Sequence, residues 1–104
     1  MVELIWTPSA LNDINSIAEF IGKDSVQAAK TIVELFFEKA IILERFPLIG
    51  KRVPELMLEN IRELLVSRYR LTYEIHSENQ IHIITIHHQS RLLKNNKSIR
   101  KKLK

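Results

Sequence analysis

Arg62, Arg68, Arg70 and Arg91 are spread through the stretch from Ile61 to Arg91, and Lys51, Arg52 and Glu55 sit just before it, among prolines and a glycine. Guanidinium groups beside a phosphodiester stabilise the charge that grows on its oxygens during cleavage, while a histidine or glutamate moves the proton. His87 and His88 end the last apolar run and could supply that proton carrier. The same residue types equally suit a charged face that binds a partner or simply meets water, since ion-pair networks are common on sheet surfaces.

Other chemistries find little support. The histidines are His76, His82, His87 and His88, with no cysteine and no His-Glu-x-x-His pattern. Strand neighbours point to opposite faces, so His87 and His88 cannot share an ion with both rings on one side. No metal or cofactor is therefore expected. Two glycines are too few for a phosphate-cradling loop, and no serine stands on a nucleophile elbow.

The elements that must hold these residues follow from periodicity. Ile61–Val66, Tyr69–Ile75 and Ile81–His88 alternate apolar and polar residues and are rich in Ile, Val, Thr and Tyr, which predicts strands. Ser67-Arg68 and Ser77–Gln80 are short polar turns, so the three runs form an antiparallel meander. Val2–Trp6 reads as a first strand. Thr7-Pro8 then caps a helix with a stripe of Ala10, Ile14, Ile17, Ala18 and Ile21, ending at Gly22. A second helix from Asp24 or Ser25 to Arg45 or Phe46 buries Ala29, Ile32, Val33, Phe36, Ala40 and Leu43, and the short link makes the two an antiparallel hairpin. The expected fold class is α+β, a helix hairpin packed on one face of a largely antiparallel sheet in the order β-α-α-β-β-β.

Pairing across the Ser77–Gln80 turn sets Arg70 opposite His87 and Tyr69 opposite His88. Strict alternation then places Tyr69, Leu71, Tyr73, Ile75, Ile84 and Ile86 under the helices. It leaves Arg70, Thr72, Glu74, Ile83, Thr85 and His87 on an open face, where an exposed Ile83 or Leu92 would hint at a covered surface. Residues 46–55 form a long constrained connection carrying charged groups, a kind of loop that is often functional.

Composition sets the outer bounds. The chain has 104 residues, 45% of them hydrophobic, and a formal net charge of +4. That length suits one domain, read as residues 1–91, followed by a basic tail at 92–104. Residues 91–104 hold seven basic residues and no acid, whereas the first ninety residues carry a net −3. Such a tail attracts polyanions or an acidic protein, or is simply solvated. The lack of cysteine fits a reducing compartment, no apolar run approaches the roughly 18 residues that span a bilayer, and the N-terminus is no signal peptide. A cytoplasmic location with no membrane partner is expected.

Taken together, several motifs resemble the RelE/ParE family of bacterial type II toxin–antitoxin toxins over nearly the whole chain. They are Trp6-Thr7-x-x-Ala10-x-x-Asp13-Ile14-x-x-Ile17, the punctuation Phe46-Pro47-x-x-Gly50-Lys51-Arg52 with Pro54 before Glu55, Arg62-Glu63-Leu64-Leu65-Val66-x-x-Tyr69-Arg70-Leu71-x-Tyr73, and Ile86-x-His88-x-x-Arg91. The resemblance implies a growth-arresting toxin neutralised by a cognate antitoxin, with which it would form a hetero-oligomer. The family's ParE-like branch poisons DNA gyrase without catalysis, and its RelE-like branch cuts mRNA on the ribosome. In one nuclease subgroup the matching residues here are Glu55, Arg70 and His88, although Gln89 stands where that subgroup has a tyrosine. The histidine-x-x-arginine ending, the tail and the long second helix favour the ParE-like branch. Under that reading Lys51, Arg52, Arg62, Arg68, Arg91 and Lys94 would contact the target. A detoxified binding module is a third possibility.

Overall fold

Thr7 sets the first corner of the chain. Strand β1 (Glu3–Trp6) runs into it, and its hydroxyl oxygen accepts the Ala10 N–H at 3.2 Å to cap helix α1 (Pro8–Gly22). The same hydroxyl donates to the Ile83 carbonyl at 2.8 Å, so the cap also ties the helix start to the sheet. Ser25 repeats the device, accepting the Ala28 N–H at 3.0 Å at the head of α2 (Val26–Ile41), and a 3-10 turn at Ile42–Glu44 ends the hairpin. The computed structural model describes residues 1–53, 55–56, 58–91 and 95–102. Pro54, Leu92 and Lys94, named above, lie outside the described residues.

Strands β2 (Lys51–Arg52), β3 (Ile61–Val66), β4 (Tyr69–Ser77) and β5 (Gln80–His88) follow, then a short helix α3 (Lys97–Lys102). Among the described residues they form a five-stranded sheet in the order β1-β5-β4-β3-β2. Strand β1 lies parallel to β5, an arrangement that needs a long crossover, which the helix hairpin supplies. The other pairs are antiparallel. A two-residue turn joins Val66 to Tyr69, with Ser67 at φ 56°, the left-handed conformation that such hairpin turns need at their first position. The α+β class, the helix hairpin and the meander are as expected from the sequence.

The main core lies between hairpin and sheet. Ala10, Ile14, Ile32, Phe36, Ala40 and Leu43 from the helical layer meet Val66, Leu71, Tyr73, Ile81, Ile83 and Ile86. Three features differ from the sequence expectation. The connection after α2 contains β2, which pairs Lys51 with Glu63 and Arg52 with Arg62. The face expected to be open carries a second small core of Val53, Leu56, Ile61, Ile84 and Ile99, so part of the basic tail packs as a helix against it.

The third difference is a β-bulge. Thr72 pairs with Thr85 but Tyr73 pairs with Ile83, leaving Ile84 as the extra residue. Ile83 therefore turns under the helices and is fully buried, while Ile84 joins the second core, the reverse of strict alternation. Near the β3–β4 turn the expected register holds, with Arg70 opposite His87 and Tyr69 opposite His88.

Candidate functional site

On the face away from the helix hairpin, β3, β4 and β5 present Leu65, Arg70 and His87 side by side, with Glu63 one pair further along. Arg70 reaches back to the connection before β3 and holds Glu55 as a two-pronged pair, with Nη1···Oε2 and Nη2···Oε1 both at 2.9 Å. Its Nε donates to the Glu63 carboxylate. Arg70 is only 12% exposed, and Glu55 and Glu63 are 28% and 19% exposed, so water screens the group only in part. The pairing with Glu55, assisted by Glu63 and opposed by burial, holds the guanidinium above its ordinary pKa. One guanidinium is shared here between two carboxylates. A phosphate approaching Arg70 would have to displace a carboxylate first.

The adjacent histidines part company, as strand neighbours must. His87 lies on Arg70's face and is buried. His88 lies on the helix side, its ring edge-on to Tyr69 at 5.7 Å. The Ser90 N–H donates to His88 Nδ1 at 3.2 Å and the Ser90 hydroxyl lies 2.8 Å from the same nitrogen, so Nδ1 acts as an acceptor. The structure thus brings Glu55 and Arg70 together and sets His88 on the opposite side of the sheet.

Burial, reinforced by the charge of Arg70, holds the His87 imidazole below its ordinary 6.5. A histidine that resists protonation when folded but accepts it when unfolded favours unfolding in acid. Its contribution is complete above 6.5, declines as pH falls below that, and levels off only beneath the depressed folded value. His87→Gln should therefore lose less stability than wild type between neutral and mildly acidic pH, read from urea midpoints. Parallel pH slopes for the two chains would contradict this.

Arg62 serves the backbone. Its Nη1 donates to the Gly50 carbonyl at 2.8 Å and the Leu48 carbonyl at 3.3 Å. Beside it the Tyr73 hydroxyl donates to the Pro47 carbonyl at 2.8 Å and accepts the Gly50 N–H at 3.0 Å. Burial raises the Tyr73 pKa, against the Gly50 hydrogen bond and the charge of Arg62, so the phenol stays protonated and able to donate. These two side chains clamp the connection that leads to Lys51, Arg52 and Glu55.

Lys51 and Arg52 are exposed on the edge strand β2, with Arg52 only loosely paired to Glu59 at 4.0 Å. Charges there also blunt an open sheet edge against pairing with other chains. Arg68 is exposed on the β3–β4 turn, where its carbonyl accepts the Gln89 N–H at 2.8 Å, and Arg91 is exposed just past β5. Lys94 lies outside the described residues. Lys97, Arg100 and Lys101 on α3 add further exposed cations. An open groove of about 590 Å³ runs between α1 and the end of β5, lined by Asp13, Phe20, Tyr69, His88, Arg91 and Asn96 among others. A second, of about 350 Å³, is lined by Ile49, Gly50, Glu63, Leu65, Arg70 and Gln89 among others.

Three positioning residues escaped the sequence reading. Glu63 is the second carboxylate on Arg70; the two-residue turn already placed it diagonally across from that arginine, which was the available signal. Asp13 accepts the Ile86 N–H at 3.0 Å and the Thr85 hydroxyl where β1 no longer covers the edge of β5. Asn96 caps α3 through the Ser98 N–H at 2.9 Å, and its amide donates to Thr85 Oγ1 at 3.1 Å and to His87 Nδ1 at 3.3 Å. Neither contact has a local sequence signature.

Comparison with known proteins agrees with this architecture. Residues 4–93 match the family described as the ParE toxin of type II toxin–antitoxin system, parDE. The chain is 31% identical over 93 residues to Toxin RelE2 of Caulobacter vibrioides, a match covering 88% of this chain and 100% of that protein. Its fold is similar to a solved structure of the chromosomal ParDE toxin–antitoxin system from P. aeruginosa, with a TM-score of 0.70 and 20% identity over 85% of this chain and 96% of that one. The class is a toxin of a type II toxin–antitoxin system. Within it, the chain belongs to the ParE toxin family of the RelE/ParE toxins, and membership implies a cognate antitoxin. Among the described residues no helix is long and apolar enough to cross a membrane.

Proposed function

We propose that this toxin arrests growth by binding and poisoning DNA gyrase in the cytoplasm, as the ParE-like branch does, rather than by cutting RNA. One observation carries the reading: the guanidinium of Arg70 is already neutralised by Glu55 and Glu63, while His88 sits on the opposite face. Hydrolysis of a phosphodiester needs an available cation and a proton carrier aimed at one point. For Arg70 and His88, the cation and proton carrier of the nuclease pattern, those requirements are separated here by the thickness of the sheet. The exposed cations Lys51, Arg52, Arg68 and Arg91 steer the chain toward an acidic protein surface or a protein–DNA complex, with the antitoxin blocking that encounter in a hetero-oligomer.

Ribosome-dependent mRNA cleavage is the second reading, and the contact between Glu55 and Arg70 favours it, because both belong to the nuclease pattern. A supercoiling assay separates the two. Purified chain at micromolar concentration should inhibit gyrase and accumulate cleaved DNA, and added antitoxin should reverse the effect. Unimpaired supercoiling at that concentration would overturn the proposal. Growth arrest on expression without the antitoxin is expected as well, and a harmless chain would point instead to a binding module.

A further inference from the structure

At the end of the sheet away from Arg70, beside the Ser77–Gln80 turn, three ligand-bearing side chains share one face. Glu74 and His82 are directly paired across β4 and β5, and His76 follows Glu74 by two residues on the same strand. Glu74 Oε1 lies 3.5 Å from His76 Nδ1 and 3.9 Å from His82 Nδ1. The ligand atoms of the trio all fall within 4.8 Å of one another. We propose that Glu74, His76 and His82 form a binding site for a divalent transition-metal ion of the zinc type.

Coordination geometry supports the assignment. Bonds of about 2.0–2.2 Å in a tetrahedral shell put ligand atoms roughly 3.3–3.5 Å apart, close to the separations from Glu74. Two imidazoles and one carboxylate suit zinc, cobalt, nickel or copper, and disfavour magnesium and calcium, which prefer oxygen. Three protein ligands leave a fourth position for water or a group from a partner.

The surrounding hydrogen bonds orient the trio as a metal site requires. Gln80 Nε2 donates to the Glu3 carboxylate at 3.0 Å, which turns Gln80 Oε1 toward His82 Nε2 at 3.4 Å. An oxygen can only accept, so His82 carries its proton on Nε2 and offers the Nδ1 lone pair to Glu74. Asn60 Nδ2 donates to Glu74 Oε2 at 3.3 Å, leaving Oε1 facing the histidines. Glu74 Oε1 and His82 Nδ1 then lie close to His76 Nδ1, a donor set that a divalent cation can bridge. The two rings are stacked, with centroids 4.1 Å apart and planes 15° from parallel, so they must splay to aim both lone pairs at one ion. His76, 51% exposed, has the freedom to move. The bound ion would staple β4 to β5 at this end.

Zinc titration of the purified, tag-free full chain tests the site. Calorimetry should show saturable binding at one site per chain, and zinc should raise the melting temperature. His76→Ala should abolish that binding, and Gln80→Leu, which frees the His82 ring, should weaken it by about 10–100-fold. In wild type, zinc should shift the imidazole nitrogen resonances of His76 and His82, a readout that needs no variant. Absence of saturable binding, or binding of equal strength in His76→Ala, or shifts confined to His87 and His88, would overturn the proposal.

Discussion

Arg70→Ala should lower the unfolding free energy by about 3 kcal/mol, a fall of roughly 12 °C or more in melting temperature for a domain of this size. The substitution removes the guanidinium that bridges Glu55 and Glu63, and leaves two partly buried carboxylates without the cation they share. Lys51 lies opposite Glu63 but is exposed, so it can screen only part of that repulsion. The sharper form of the prediction is non-additivity. A chain carrying Glu55→Gln, Glu63→Gln and Arg70→Met together should be more stable than Arg70→Ala alone, because no unpaired charge remains at the site. Denaturant unfolding of wild type, Arg70→Ala and the triple variant would measure this. An Arg70→Ala chain as stable as wild type would mean that the trio is a solvated surface cluster.

Gly50→Ala should cost about 2–3 kcal/mol, through crowding rather than backbone strain. A Cβ at residue 50 would lie 2.5 Å from the Tyr73 hydroxyl oxygen, 2.7 Å from its ring and 2.8 Å from the Glu63 carbonyl. Tyr73 is fully buried and tied to Pro47, so it has little room to yield. Tyr73→Phe should itself cost about 1–3 kcal/mol, since the Gly50 N–H loses its acceptor. In the Tyr73→Phe background the added methyl meets one obstacle fewer, so the double variant should lose less than the two single losses combined. The clamp positions Lys51, Arg52 and Glu55, so both variants should also blunt toxicity. Strict additivity would show that Gly50 and Tyr73 do not press on one another.

Part of this arrangement was legible in the residues. Thr7-Pro8 and Ser25 mark helix starts because a side-chain oxygen satisfies an otherwise unpaired N–H, and the structure shows both caps. The two-residue turn at Ser67-Arg68 sets the register of β3 against β4, and Arg70 faces His87 as expected, although Ile81 pairs with Ile75 rather than His76 and a second shift at Thr72/Tyr73 restores the register. The bulge was not legible, because Ile81, Ile83, Ile84 and Ile86 offer no polar residue to mark which of them faces outward. Its consequence reaches the proposed metal site. Without the bulge Glu74 would oppose Ile83, whereas the shifted register brings His82 there. Ile99 was hidden in a strongly basic segment, and its burial against Val53 and Ile84 depends on contacts far apart in the chain. The pair between Glu55 and Arg70 likewise closes over fifteen residues, with no local pattern to announce it.

Whether Arg70 is a structural ion-pair partner or a phosphate-binding cation is tested most directly on programmed ribosomes. With purified chain at saturating concentration, primer extension should read through the message with no new stops at A-site codons. Codon-specific cuts that vanish in Arg70→Ala while its fold persists would contradict the account.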